Sequence, residues 1–332
     1  MRKLLKMAVA MATTLLVAAP ALAQTPVKIG IGFGVGFLPM FIADELKLVE
    51  KHAKAAGVDV ATNYQRFSGS AAMQDAILSG AVDMGVYGVP ALLIAWDKAK
   101  NTPQQIIGIA GVNASPLTLV TNKPGVKKLA DLSPSDKIAM PAIVSPQMYV
   151  LQIAAEKELG AGNYDKLRPQ VVALPHPEAL NAILSGGTEV KAYFASPPFT
   201  QIALQKEGVS KITTSNEIFG GKSSFLVLGA TKRWIEGNGK LQAVMVEAIK
   251  EASDLIRKDP KRAAEIYLKV EPSKVLDVAA VEKLLRETPD EFGPEVYGVK
   301  TFADFMGRIG GLKTIPASFK DVFPTIANTQ SN

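Results

Sequence analysis

Two hydrophobic periods alternate along the chain. Val27-Lys-Ile-Gly-Ile-Gly32, Val58 to Gln65 and Val82 to Tyr87 have the dense apolar spacing of strands. Each leads into a segment whose apolar residues recur three and four apart, as on a half-buried helix. A Gly-rich loop from Phe33 to Leu38 follows the first strand. Pro39 then opens a helix running from Met40 through the Leu46 region, at the position where a missing N–H costs nothing. Ser68-Gly69-Ser70 offers N-cap residues for a helix over Ala71 to Ser79, and Gly80 ends it. Pro90 opens a helix to about Lys100, and Gln105 to Val112 reads as a fourth strand. Alternation of this kind predicts an α/β fold with mostly parallel sheets covered by helices.

A second cycle follows. Leu117 to Thr121 is extended, and Asn122-Lys-Pro-Gly125 carries turn chemistry. Strands are expected at Lys137 to Met140, Gln170 to Leu174, Lys191 to Phe194 and Ile212 to Thr214. Helices are expected at Gln147 to Leu159, Glu178 to Ser185 and from Pro198 toward Glu207. Ser224 to Gly229 is extended, and from Trp234 onward the pattern is helical, clearest over Leu241 to Arg257. Ala-Ile-Leu-Ser-Gly occurs at 76–80 and again at 182–186, 106 residues apart. Asp83 matches Glu189 in register, Tyr87 matches Tyr193, and both copies run on to proline, at Pro90 and Pro197-Pro198. We read this as one structural unit used twice, which implies two similar lobes with a cleft between them.

The 332 residues suit two domains, and 48% apolar with 20% charged residues is ordinary globular composition. The N-terminus differs. A basic Met1-Arg-Lys-Leu-Leu-Lys6 precedes the apolar run Met7 to Ala19, then Pro20 and the small residues of Ala21-Leu22-Ala23. This predicts an export signal over 1–23, cut before Gln24, and a periplasmic mature protein. Without Arg2, Lys3 and Lys6 the formal charge falls from +6 to +3. No dense basic run is interleaved with aromatics, so nucleic acid is not an expected partner. The absence of Cys excludes disulfides and a lipid-modified N-terminal Cys. His52 and His176 are the only histidines, so neither a metal nor another cofactor is expected.

In open α/β sheets, ligands sit beyond the carboxyl ends of the strands. The residues there are Gly36 and Phe37, Ser68, Gly69 and Ser70, Tyr87 and Gly88, Ser145, Pro146 and Gln147, and Ser196. His176, in Pro175-His-Pro177 beside a helix start, and Tyr193, by its place in the repeat, join them. The expected arrangement puts a polar or anionic end of the ligand on Ser68–Ser70 and Ser145–Gln147, from opposite lobes, with Phe37 and Tyr87 against its apolar part. Most of these residues have a purely structural alternative: tight turns for the glycines, caps for the serines, core for the tyrosines, a surface or capping place for His176. Arg66, ending the second strand, is placed to pair with an anion or to lie solvated.

Catalytic motifs are missing. Gly30-Ile-Gly32-Phe-Gly34-Val-Gly36 does not complete G-x-G-x-x-G, because Val35 and Phe37 stand at third-glycine positions. Gly221-Lys222-Ser223 has the end of a P-loop, but Asn216 stands where its first glycine belongs. No G-x-S-x-G occurs.

Four stretches together resemble the solute-binding proteins of ABC importers, in the nitrate/sulfonate/taurine and thiamine-pyrimidine-precursor group. They are Gly36-Phe-Leu-Pro39 followed by Ile42-Ala43, Ala76 to Gly80 with Asp83, Leu129-Ala-Asp131-Leu132 before Lys137 to Met140, and Ala182 to Gly186 with Tyr193-Phe-Ala-Ser-Pro-Pro198. The resemblance implies a type 2 periplasmic-binding fold with a hinged cleft and crossings near Leu117–Thr121 and Ser224–Gly229. Lobe I would comprise 24–117 and 225–332, and lobe II 118–224. It further implies delivery of a captured solute to a membrane permease. The comparatively apolar loops fit a small organic acid, sulfonate or heteroaromatic compound better than an inorganic anion, and a monomer is expected. A periplasmic enzyme using His176 and a ligand-loaded sensor partner are the alternatives. Enzymes of the same fold group are associated with a Cys-rich motif, which this chain lacks.

Overall fold

The computed structural model describes residues 24–326, so the expected export segment lies outside the described residues. Strands and α-helices are numbered in chain order. The first cycle is β1 (Thr25–Ile31), α1 (Leu38–Glu45), α2 (Leu48–Ala55), β2 (Val60–Arg66), α3 (Ser70–Ser79), β3 (Met84–Gly88), α4 (Val89–Lys98) and β4 (Ile106–Asn113). The second is β5 (Thr118–Thr121), β6 (Lys137–Met140), α5 (Pro146–Leu159), β7 (Val171–Ala173), α6 (His176–Ser185), β8 (Val190–Ala195), α7 (Phe199–Leu204), β9 (Ser210–Thr214) and α8 (Ser215–Phe219). The chain returns through β10 (Leu226–Thr231) and continues as α9 (Lys232–Gly237), α10 (Gly239–Lys258), α11 (Pro260–Val270), α12 (Val278–Glu287) and α13 (Val299–Arg308).

The strands form two five-stranded sheets, ordered β2-β1-β3-β10-β4 and β7-β6-β8-β5-β9. The orders are the same once β6, β7, β8, β5 and β9 stand for β1, β2, β3, β10 and β4. Each sheet is parallel except for one strand, β10 or β5, which runs antiparallel to both neighbours. Those two strands follow the crossings, so the chain enters each sheet from the opposite lobe and must run against the rest.

The repeated pentapeptide has the same job in both sheets. Gly80 (φ 75) and Gly186 (φ 68) end α3 and α6 in the left-handed conformation that glycine adopts without strain. The chain then turns into the third strand of its sheet. Asp83 takes the Lys28 N–H on its carboxylate at 2.7 Å and donates its own N–H to the Lys28 carbonyl. At the matching place Lys137 N–H donates to the Glu189 carbonyl. Tyr87 lies opposite Val227 of β10, and Tyr193 opposite Val120 of β5.

Two elements differ from the sequence reading. Lys47 adopts a left-handed conformation (φ 53), which breaks the predicted first helix and starts α2 as a separate one. After β9, Thr214 and Glu217 cap α8 reciprocally. Helix α10 buries Leu241, Val244, Met245, Ala248, Ile249, Ala252 and Ile256, spaced three and four apart, and packs on α1, α2 and β4. Among the described residues no helix is long and apolar enough to cross a membrane.

Candidate functional site

The carboxyl ends of the two sheets face each other across two crossings, and two glycines of the first lobe approach the second there. A Cβ built on Gly34 would lie 3.9 Å from the Pro197 carbonyl oxygen, and one on Gly88 would lie 2.4 Å from Pro146 Cγ. Gly88 therefore lets β3 meet the start of α5, where any side chain would hold the lobes apart.

Between the lobes is a cavity of about 230 Å³. One wall is Val35 with Tyr267, Leu276, Val281 and Leu284 of the α11–α12 region; the other is Pro198, Gln201 and Leu204 along α7. At roughly 30 Å³ per water molecule this is room for a small organic molecule. Most of the lining is apolar, and Gln201, Gln205, Lys283 and Glu287 add polar and charged groups to it. Buried polar atoms without partners occur on both lobes; on the second they include Ser145 Oγ, Thr200 Oγ1 and the Gln201 Oε1 that borders the cavity. Such atoms carry a desolvation cost until something bonds them. Phe33 on one lobe, and Ile143 and Val144 on the other, expose apolar side chains in the loops after β1 and β6.

His176 is neither a surface nor a capping residue. Its Nε2 is 3.0 Å from Ser196 Oγ, its Nδ1 meets the Tyr193 hydroxyl, and its ring stacks on Phe199 with centroids 4.8 Å apart. Burial lowers its pKa to about 4, so the ring is neutral at pH 7, and burial pushes the Tyr193 phenol well up.

Several expected ligand contacts are placed otherwise. Phe37 is buried and its ring packs on Gly32, where a Cβ would meet it at 2.4 Å. Tyr87 is in the core beside Gly229 of β10, its hydroxyl buried without a partner among the described residues. Both side chains lie in the core. Gly36 approaches Asn113 and Phe225 at the crossings. Ser68 and Gly69 are exposed, and Gly69, not a serine, is the N-cap of α3. Ser70 is the first helical residue, and no side chain caps the helix. A Cβ on Gly69 would meet no atom within 4 Å, whereas Gly88 approaches Pro146 and Gly34 approaches Pro197. Ser145, Pro146 and Gln147 are buried at the start of α5, facing the other lobe through Pro146.

Arg66 is paired within the protein, and its Nη2 is buried without a partner among the described residues. Its Nη1 bonds Glu271 at 2.8 Å, and its guanidinium lies over the rings of Phe33 and Phe41. The same carboxylate accepts the Gly34 N–H on both oxygens, at 3.0 and 2.9 Å, and the Tyr267 hydroxyl at 3.2 Å. The Gly34 N–H and Arg66 thus share a protein carboxylate, and the anion that Arg66 was placed to pair with is Glu271. Glu271→Gln should leave Arg66 half-buried without its counter-charge and turn an amide N–H₂ toward donors. We expect a loss of about 2–3 kcal/mol, below the range for fully buried pairs because both side chains keep some exposure. A double-mutant cycle with Arg66→Leu, read by thermal unfolding, measures the coupling.

The crossings are strapped by a third segment, residues 288–298. Ala114 N–H donates to the Glu291 carbonyl at 2.7 Å, Gly111 N–H to Pro294 at 2.8 Å, and Ser224 N–H to Tyr297 at 3.0 Å. Phe225 N–H donates to the Asn113 carbonyl, joining the crossings directly. Glu291 has a buried Oε2 without a partner among the described residues, and burial pushes its carboxyl up to about 7 despite the Ser115 hydroxyl and Lys222 nearby. Thr200, Gln201, Glu271 and Glu291 were not singled out from sequence. Gln201 and Thr200 followed a recognised Pro198, but nothing local marks which faces of a short helix meet the other lobe.

No curated protein sequence matches the chain. Solved structures do match in shape. The periplasmic aliphatic sulphonate binding protein SsuA from Escherichia coli superposes with a TM-score of 0.70 at 18% identity, over 91% of this chain and 98% of that one. The alkanesulfonate-binding protein SsuA from Xanthomonas axonopodis pv. citri, bound to MOPS, gives 0.69 at 16% identity, over 90% and 98%. The periplasmic nitrate-binding protein NrtA from Synechocystis PCC 6803 gives 0.65 at 14% identity, over 90% and 84%. The fold is thus that of the periplasmic binding proteins. The profile of the NMT1-like family matches residues 21–269, three quarters of the sequence, and the chain belongs to that family.

Proposed function

We propose that the protein is an exported, periplasmic solute-binding protein. It captures a small organic molecule between its lobes as a monomer and delivers it to the permease of an ABC importer, without chemistry on it. The lobes of this reading are 24–117 with 225–332, and 118–224. The observation that carries it is the mostly apolar cavity bounded by both lobes, with the unpartnered Gln201 Oε1 on its border. A ligand there completes its contacts only when both walls are present, so binding favours closure. The apolar lining fits an organic solute better than a bare inorganic ion. Structural neighbours named for sulfonate and nitrate binding support capture as the task of the fold. The enzyme alternative loses support at His176, since a ring titrating near pH 4 is a weak base at neutral pH.

The test is a thermal-shift panel of small organic acids, sulfonates and heteroaromatic compounds, followed by small-angle scattering with each hit. The expected result is a smaller radius of gyration on binding and full recovery of unchanged compound. Tight binding without compaction, or conversion of the compound, would count against the reading.

A further inference from the structure

Tyr193, His176 and Ser196 form a hydrogen-bonded row from the core of the second sheet to the lobe contact. Tyr193 is fully buried on β8, and among the described residues its hydroxyl has no polar partner except His176 Nδ1. A buried phenol proton without an acceptor is costly. The phenol also keeps that proton, because burial disfavours the phenolate. Tyr193 must therefore donate to Nδ1. A neutral imidazole holds one proton, which then sits on Nε2 and is donated to Ser196 Oγ, 3.0 Å away. The reverse wiring, with Nδ1 protonated and Ser196 donating to Nε2, would leave the phenol proton unbonded.

We propose that this row fixes Ser196 as an outward hydrogen-bond donor, with Tyr193 and His176 as its positioning residues, so that the ligand presents an oxygen acceptor to the second lobe. Ser196 already accepts from the ring, and its own O–H has no acceptor among the described residues. It lies at the lobe contact: the adjacent Pro197 carbonyl faces Gly34, and Pro198 lines the cavity. Ser145 Oγ, buried and unpartnered, follows the neighbouring strand β6. On the first lobe the N–H of Gly34 is taken by Glu271 and is not available to the acceptor. The ligand class is a small organic molecule bearing a carboxylate, sulfonate or amide carbonyl. This deepens the capture reading and rests on it for the ligand, but the wiring stands apart.

The wiring is tested without ligand. Long-range ¹H–¹⁵N spectra of the imidazoles at pH 7, with His52 assigned by its loss in His52→Gln, should show His176 neutral with its proton on Nε2. Tyr193→Phe should turn that single form into a tautomer mixture. A proton on Nδ1 in the unaltered protein, or an unchanged ring in Tyr193→Phe, overturns the proposal. Titrations with butyrate, butane-1-sulfonate, butanamide and butan-1-amine then read the consequence. Ser196→Ala should weaken the first three, by about ten- to a hundredfold for the anions, and leave the amine unaffected. Unchanged affinity for acceptor-bearing probes that bind the unaltered protein overturns the donor role. Probes that bind neither protein weigh on capture, while the tautomer still decides the wiring.

Discussion

Gly111→Ala should destabilise the protein by about 3 kcal/mol or more, since overpacking typically costs 1–3 and backbone leaves no relief. The added Cβ would lie 1.9 Å from the Glu295 carbonyl oxygen, 2.8 Å from its carbon and 3.1 Å from the Gly293 carbonyl oxygen. All three are backbone atoms, so no rotamer change relieves the clash. Either β4 or the 288–298 segment must move, and the Gly111-to-Pro294 hydrogen bond goes with it. Gly85→Ala is the control. Its nearest contact is Met73 Sδ at 2.4 Å, on a flexible side chain that can swing aside, and we expect a loss of about 1 kcal/mol. Thermal unfolding separates the two, with a melting point lower by on the order of 5–10 °C for the first. A Gly111→Ala protein melting within a degree of the unaltered one would mean that the strap does not sit on β4.

Glu291→Gln should make the protein more stable above pH 7 by roughly 2–3 kcal/mol and flatten its stability between pH 4.5 and 7. The carboxyl titrates near 7 in the folded protein and 4.5 in the unfolded chain. At pH below 4.5 both states hold the proton and burial costs little. Between 4.5 and 7 the unfolded chain releases it first, so the folded state binds more protons and stability falls as pH rises. Above 7 the penalty is constant, at most about 1.4 kcal/mol per pH unit of the gap. Glutamine keeps the shape and never takes the charge. Carboxylates held low by ion pairs, such as Glu156 with Arg308 and Glu217 with Lys211, act oppositely and only in acid. The difference between the two proteins isolates the hinge carboxyl. Parallel stability curves from pH 5 to 8 would exclude an ionised Glu291 buried among the crossings.

The repeat was legible because its parts are local: a helix stop, a turn and a strand lie within one dozen residues in each copy. The direction of β5 and β10 was not, because it depends on which lobe the chain has just left. Thr214-Ser215-Asn216-Glu217 carried a capping-box signature that marks α8, yet it directly follows a strand and was passed over. Lys47 gave no warning, since a left-handed lysine has no sequence mark. At the candidate site, position after a strand picks out loops but not the faces they present. Phe37 and Tyr87 lie where every neighbour is apolar, so period gives no hint of which side meets a ligand. Phe33, four residues before Phe37, is the exposed aromatic. Glu271 reaches Gly34 from 237 residues away, and no spacing rule connects them.

The strand orders also set a timetable. The second sheet is built entirely from residues 118–214, in one unbroken stretch. The first needs β10, which arrives more than a hundred residues after β4 and separates it from β3. Until then β4 has no strand to bond, since β10 is its only partner in the sheet. A chain made from its N-terminus therefore completes the later-made sheet first. The earlier one waits with an open slot, and closing it means joining segments far apart in sequence, the slow kind of contact. Synthesis and folding run in opposite orders here. The half-built sheet, with two bare strand edges, is the stage most in need of protection from other chains.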